Sequence, residues 1–201
     1  MEDSKSLEPY LEASPYMNYH DPQIQTIIKL LLEKNTSESE RVKSAFEFVR
    51  DHIGHSYDMN GREVTRTASD VLEKKHGICY AKSHLLAAIC RGMDIPAGIS
   101  YQRITLYDKP EDGFCIHALN TVYLSELDKW IRLDARGNKE GINAQFSVDE
   151  EMLAFPVRPE YDEVNYRTNY VEPHPDIIEV LESHTDSLEM YKKGLPEKLE
   201  E

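Results

Sequence analysis

Apolar and polar positions along the chain fall first into a helical period and later into a period of two. From Asp21 the apolar residues Ile24, Ile27, Ile28 and Leu31 recur at helical spacing, with Asp21 placed to cap the helix and Pro22 suited to its first turn. This helix is expected to end near Lys34–Asn35. Ser37 and Glu40 form a capping box for a second helix, whose buried stripe is Val42, Ala45, Phe46, Val49 and Ile53. A polar stretch over residues 54–66 reads as a loop. Thr67 and Asp70 then open a short helix through Val71 and Leu72, ending at His76–Gly77. A fourth helix follows, with Leu85, Leu86, Ala88, Ile89 and Met93 as its apolar face. Gly77 is expected to permit a sharp turn before it, and Gly92 to take the left-handed C′ position after it.

Beyond Ile95-Pro96-Ala97, where proline stops the helix, β-branched and aromatic residues dominate. Residues 98–107, 115–124 and 130–134 read as strands, the last two as an antiparallel hairpin. Residues 1–20 read as an irregular arm packed through Tyr10, Leu11, Tyr16, Met17 and Tyr19. Residues 142–171 read as an extended segment wrapping the body. Residues 176–193 carry a weak helical pattern that runs into a solvated, frayed tail. The elements predict an α+β fold, in which helices pack on an antiparallel sheet of three or more strands.

Composition narrows the setting. The chain has 201 residues and a formal net charge of −14. One domain over residues 1–171 is expected, with an acidic helical tail over 172–201 that holds nine acids and three bases. The negative charge disfavours nucleic acid and anionic membrane surfaces as partners. Three cysteines without a CxxC pair argue against a disulfide framework or a zinc ribbon. Met1–Lys5 is acidic and lacks the apolar run of a signal peptide, and no stretch approaches the ~18 apolar residues of a membrane span. A reducing cytoplasm is the expected setting. No cofactor is expected.

Candidate chemistry centres on Cys79. It falls at the start of the fourth helix, where the helix dipole and unpaired N–H groups favour a thiolate and can hold an oxyanion. Taken alone, the thiol reads as a small buried hydrophobe. His117 lies 38 residues later on the second strand, and Asp134 lies 17 residues after that, at the end of the third. Centring the hairpin turn near residue 127 sets His117 opposite roughly residue 137, so a small register change or a bulge brings Asp134 beside it. An imidazole beside Cys79 takes its proton, and a carboxylate on the far ring nitrogen orients the ring. Cys90 reads as core. Cys115 shares a strand face with His117, as packing or as a redox partner of Cys79, and Cys79, Cys115 and His117 together form a possible metal set. His76 and His84 read as surface or core histidines.

These motifs together resemble the transglutaminase-like superfamily of papain-type thiol enzymes. The resemblance runs over residues 40–136 and is carried by Gly77-Ile78-Cys79, Arg91-Gly92-Met93-Asp94-Ile95-Pro96-Ala97, His117-Ala118-Leu119 and Trp130-Ile131-Arg132-Leu133-Asp134. It implies a papain-like core and a Cys79–His117–Asp134 triad attacking the amide of a peptide or protein through a thioester. Hydrolysis is the expected outcome rather than transfer to an amine. It also implies an upstream oxyanion donor, for which Tyr57 is the candidate. Leu119 stands where a tryptophan commonly follows His-Ala, which makes the expected pocket wall less aromatic, and Ala135-Arg136 stands where Pro-Thr is frequent. A non-catalytic interaction module on the same scaffold is the alternative.

Overall fold

Asp21 accepts hydrogen bonds from the backbone N–H groups of Gln23 (2.8 Å) and Ile24 (3.4 Å) and opens α1, Pro22–Lys34. The Ser37–Glu40 box opens α2, Glu38–His52, and the Thr67–Asp70 box opens α3, Ala68–Lys74. These features belong to a computed structural model that describes residues 6–200. Met1–Lys5 lie outside the described residues, so the expectation for the acidic start of the chain falls there.

The region between α2 and the fourth helix departs from the expected loop. Gly54–His55 forms a short strand, β1, which pairs in parallel with β2, His76–Gly77. α3 therefore stops earlier than expected, and Lys75 takes the left-handed cap at φ 58°. Gly77 serves close packing rather than a turn, since a Cβ there would meet Thr65 Oγ1 at 3.0 Å. α4, Cys79–Gly92, packs against α1, α2 and α3 on one side and the sheet on the other. It is buried from Tyr80 to Arg91, including Lys82, Ser83 and His84, because layers cover all of its faces. Gly92 remains inside the helix, and the left-handed residue is Asp94 at φ 60°. What Gly92 provides is room for Ile28 of α1, whose Cδ1 a Cβ would overlap.

The sheet is antiparallel, in the order β5-β4-β3-β6, with β3 Ala97–Thr105, β4 Phe114–Leu124, β5 Lys129–Leu133 and β6 Val164–Asn165. β3 and β4 pair along their length, from Ala97↔Val122 to Thr105↔Phe114. β5 is shorter and covers only the second half of β4, from Leu124↔Lys129 to Asn120↔Leu133. The first half of β4 is thus without a strand on that side among the described residues. The buried Arg91 guanidinium joins three pieces by donating to the carbonyls of Glu12 (2.8 Å), Ala97 (2.9 Å) and Val171 (2.5 Å).

The expected frayed tail is instead folded onto the body. It contains α5, Pro175–Ser183, and α6, Ser187–Lys193. Ile177, Leu181, Met190 and Leu199 are buried. Ile177 and Leu181, four apart, turn to the body while Glu179 and Glu182 face water.

Candidate active site

Cys79 is the first residue of α4 and is partly exposed. The residue before it, Ile78, is the N-cap and offers no polar side chain, so the first-turn N–H groups have no side-chain acceptor there. These groups and the helix dipole face the thiol with partial positive charge.

His117 sits on the half of β4 that β5 leaves uncovered. Its Nε2 donates to Asp134 Oδ2 at 2.8 Å, and Cys79 stands near enough to strengthen the ring's hold on its proton. The register sits one residue from the expected one, and no bulge is needed. Asn120 pairs with Leu133, so Asp134 leaves the sheet as a diagonal neighbour of His117, within side-chain reach. Asp134 is held from two further directions, with Oδ1 accepting from the N–H of Arg136 (3.1 Å) and Oδ2 from that of Ala154 (3.1 Å).

Burial alone would strip the proton from His117. The charges of Asp134 and Cys79 and their hydrogen bonds outweigh it and lift the imidazole to about 10. Burial likewise opposes charge on Asp134, but His117 and the two backbone donors hold the carboxylate below its ordinary value. Cys90 and Cys115 go the other way, with burial pushing each thiol up to about 12. Cys79 is thus the thiol placed beside a cationic partner.

Cys79 and His117 line a shared cavity of about 400 Å³, with Asp134 directly behind the imidazole. The wall is more aromatic than the sequence motif suggests. Phe155, from the extended segment, stands edge-on to His117 at 5.0 Å between ring centres. Tyr57 lines the cavity, stacked on Tyr191 at 4.2 Å and beside Tyr107. Cys115 also lines it. Among the described residues no group of three or more His, Cys, Asp or Glu is arranged to hold a metal ion. Cys90 and His84 lie in the core, and His76 is tied to Ser56 Oγ at 2.9 Å.

Several residues here carry no readable signal in the sequence. His55 falls in a stretch that reads as polar loop, yet β1 buries it at the cavity wall, with Nδ1 lacking a partner among the described residues. Burial, reinforced by Arg136, keeps its ring neutral. Lys82, one turn after Cys79, is buried and donates to the carbonyl of Ile53, just before β1. Burial brings its ammonium down to about 7. Arg136 forms a two-pronged pair with Asp58, which Lys139 joins at 2.7 Å. All three contacts join segments far apart in the chain, which is why periodicity is blind to them.

Comparison with known proteins bears on the scaffold. Residues 25–135, just over half of the 201, match the family model described as the transglutaminase-like superfamily. Among solved structures, a "putative cysteine protease" from Cytophaga hutchinsonii superposes with a TM-score of 0.53 at 20% identity, over 67% of this chain and 43% of that one. The periplasmic domain of TgpA from Pseudomonas aeruginosa gives a TM-score of 0.48 at 17% identity, over 66% of this chain and 47% of that one. The chain thus spans less than half the length of either. No curated protein matches it.

Proposed function

The chain belongs to the transglutaminase-like superfamily, and on that premise we propose that Cys79, His117 and Asp134 act as a catalytic triad on amide bonds of a peptide or protein. Cys79 Sγ attacks the carbonyl carbon as a thiolate, and the carbonyl oxygen becomes an oxyanion beside the first-turn N–H groups of α4. The tetrahedral adduct then collapses. The C–N bond breaks, the leaving amine takes a proton from His117, and a thioester remains on Cys79. Water, deprotonated by His117, attacks the thioester and releases the acid and the thiol. Asp134 keeps the ring oriented and stabilises its cationic form.

The observation that carries this reading is the line Asp134–His117–Cys79, with its imidazole lifted to about 10 between a buried carboxylate and the one partly exposed thiol. For the oxyanion's side-chain donor, the neutral ring of His55 at the cavity wall is the candidate, with Tyr57 on the same cavity as the alternative. Hydrolysis, with water as the acceptor, is the proposed outcome.

Iodoacetamide labelling at pH 6, read site by site by mass spectrometry, tests the triad. Cys79 is expected to label ahead of Cys90 and Cys115, and His117→Ala to slow it by about tenfold or more. An unchanged Cys79 rate in that variant would remove the ion pair and the mechanism with it. Turnover of amide substrates with a primary amine present then separates free acid from transamidated product.

A further inference from the structure

The half of β4 that β5 leaves uncovered is the half that carries His117, and it is not left open. The N–H of Ile116, the residue just before His117, donates to the carbonyl of Pro196 at 2.9 Å. The Ile116 carbonyl on the same residue accepts from Tyr80 Oη at 2.8 Å. Residues 195–199 therefore lie along a strand edge next to the cavity, making the kind of backbone hydrogen bond that an added strand makes. Side chains reinforce the position. Tyr191 of α6 stacks on Tyr57 and stands edge-on to His55 at 5.9 Å between ring centres, and both Tyr191 and Leu195 line the cavity that holds Cys79.

At its start the segment is held by the Ser187 N–H on the Arg62 carbonyl (2.7 Å) and by the buried Met190, and at its end by the Glu200 N–H on Asp176 Oδ2 (2.8 Å). Arg103 Nε donates to the Glu197 carbonyl at 3.0 Å, the Leu199 N–H donates to Tyr166 Oη at 3.2 Å, and the Leu199 side chain is buried. The opposite rim is under backbone strain. Tyr107, which reaches across to Tyr57, sits at φ 52°, a left-handed conformation that is costly for a residue with a Cβ. One tyrosine from each of three distant segments, Tyr57, Tyr107 and Tyr191, thus meets over the cavity.

We infer that residues 187–200 are a strap closed over the Cys79 cleft, occupying the β4 edge at Ile116 that an extended polypeptide entering the cleft would use. An incoming chain must displace the Pro196 carbonyl from Ile116 and part Tyr191 from Tyr57. The strap thereby sets access to the thiol, and it selects for extended segments able to offer a carbonyl to the same N–H. The consequence for turnover rests on the triad reading, but the gate itself does not.

The test uses the full chain carrying Leu195→Asp and Leu199→Asp, which place charge at the two apolar side chains of the stretch beside Ile116. Two rates are read. One is hydrogen exchange at the Ile116 amide, with the Tyr123 amide, bonded to Pro96 at the other end of β4, as control. The other is iodoacetamide labelling of Cys79. Both are expected to rise by about tenfold while Tyr123 stays unchanged, as for opening of a local unit rather than the whole fold. Faster Ile116 exchange with unchanged Cys79 labelling would make the segment a packed end piece that gates nothing. No change in either rate would show that these side chains hold nothing in place. Either result overturns the proposal. If Tyr123 also exchanges faster, the sheet has loosened, and Tyr166→Phe, which removes only the hydroxyl that meets Leu199, takes the place of the double variant. A rise in both rates then supports the strap, and an unchanged Cys79 rate overturns it. Faster Cys79 labelling without turnover of any amide would leave the strap standing and sink the triad instead.

Discussion

His117 is the residue on which the site depends, because its proton is held by neighbours that exist only in the folded chain. An unfolded histidine titrates near ~6.5, and the folded ring is lifted to about 10. A raised folded value stabilises fully below the unfolded one and is lost as pH climbs through the folded one. The stability gap between the wild type and His117→Gln is therefore expected to be widest below pH ~6.5 and to close towards pH ~10. Urea midpoints at a series of pH values measure it, and a gap constant across the series would mean that the imidazole carries no extra proton. His55 has a different role in the proposed chemistry. His55→Ala is expected to lower kcat by about 10²- to 10³-fold with KM little changed, the usual cost of one oxyanion donor. A matching loss in Tyr57→Phe, with none in His55→Ala, would return that role to Tyr57.

At the scale of elements, the site depends on how closely the sheet and its covering segments approach. Gly98, near the start of β3, is the tightest point. A Cβ there would overlap Asn169 Oδ1 and press on Thr121 Oγ1 at 2.8 Å and Tyr10 Cε1 at 3.0 Å. Asn169 also accepts from Thr121 Oγ1, so the methyl group cannot be accommodated by moving one side chain alone. Gly98→Ala is expected to cost about 1–3 kcal/mol, the usual range for overpacking, read as a lower urea midpoint at constant slope. A stabilised variant would show that the 142–171 segment yields. The elements whose ends are marked by caps, α1, α2 and α3, begin where Asp21, Ser37 and Thr67 stand in the sequence. α1 also ends where expected, at Lys34, whereas the end of α3 and the strand β1 are less legible, because β1 is two residues long and exists through its pairing with β2. The residues that form it read as polar loop. Hairpin register was legible to within about one position, and the triad geometry needs only the diagonal that this register provides.

For the molecule as a whole, acid is the expected weak side. Burial opposes ionisation of Asp58 and Glu163, yet the hydrogen bonds of Arg136 and Lys139 to Asp58, and of Arg158 and Thr105 to Glu163, lower each to about 2. Asp134 is lowered in the same direction. Depressed carboxylates stabilise above their unfolded values near ~4 and lose that contribution as pH falls through the folded ones. The urea midpoint is expected to fall steeply between pH ~4.5 and ~2, and Arg158→Met to make that fall shallower. An unaltered slope in the variant would place the acid sensitivity elsewhere. The net charge of −14 adds self-repulsion that these pairs offset only locally. No helix is long and apolar enough to cross a membrane among the described residues.

What the sequence determined by itself was local. Caps, helical stripes and the alternation of strands are written within a few residues of one another, and so are the Gly-x-Cys, His-Ala and Trp-x-x-Leu-Asp motifs that carry the family resemblance. The meeting of His117 with Asp134 followed from hairpin register, which is itself nearly local, whereas that of Cys79 with His117 needed α4 to pack on β4. What only the tertiary structure decided were contacts between segments with no shared period: Ala154 N–H on Asp134, Phe155 against His117, His55 at the cavity wall, and residues 195–199 along the edge of β4. Each depends on where a long connection comes to rest. That is settled by which buried surface and which unpaired backbone group remain to be covered once the helices and sheet have formed. The acidic tail illustrates the difference, because its composition predicts solvation while its few apolar residues, matched to an open strand edge, place it over the site.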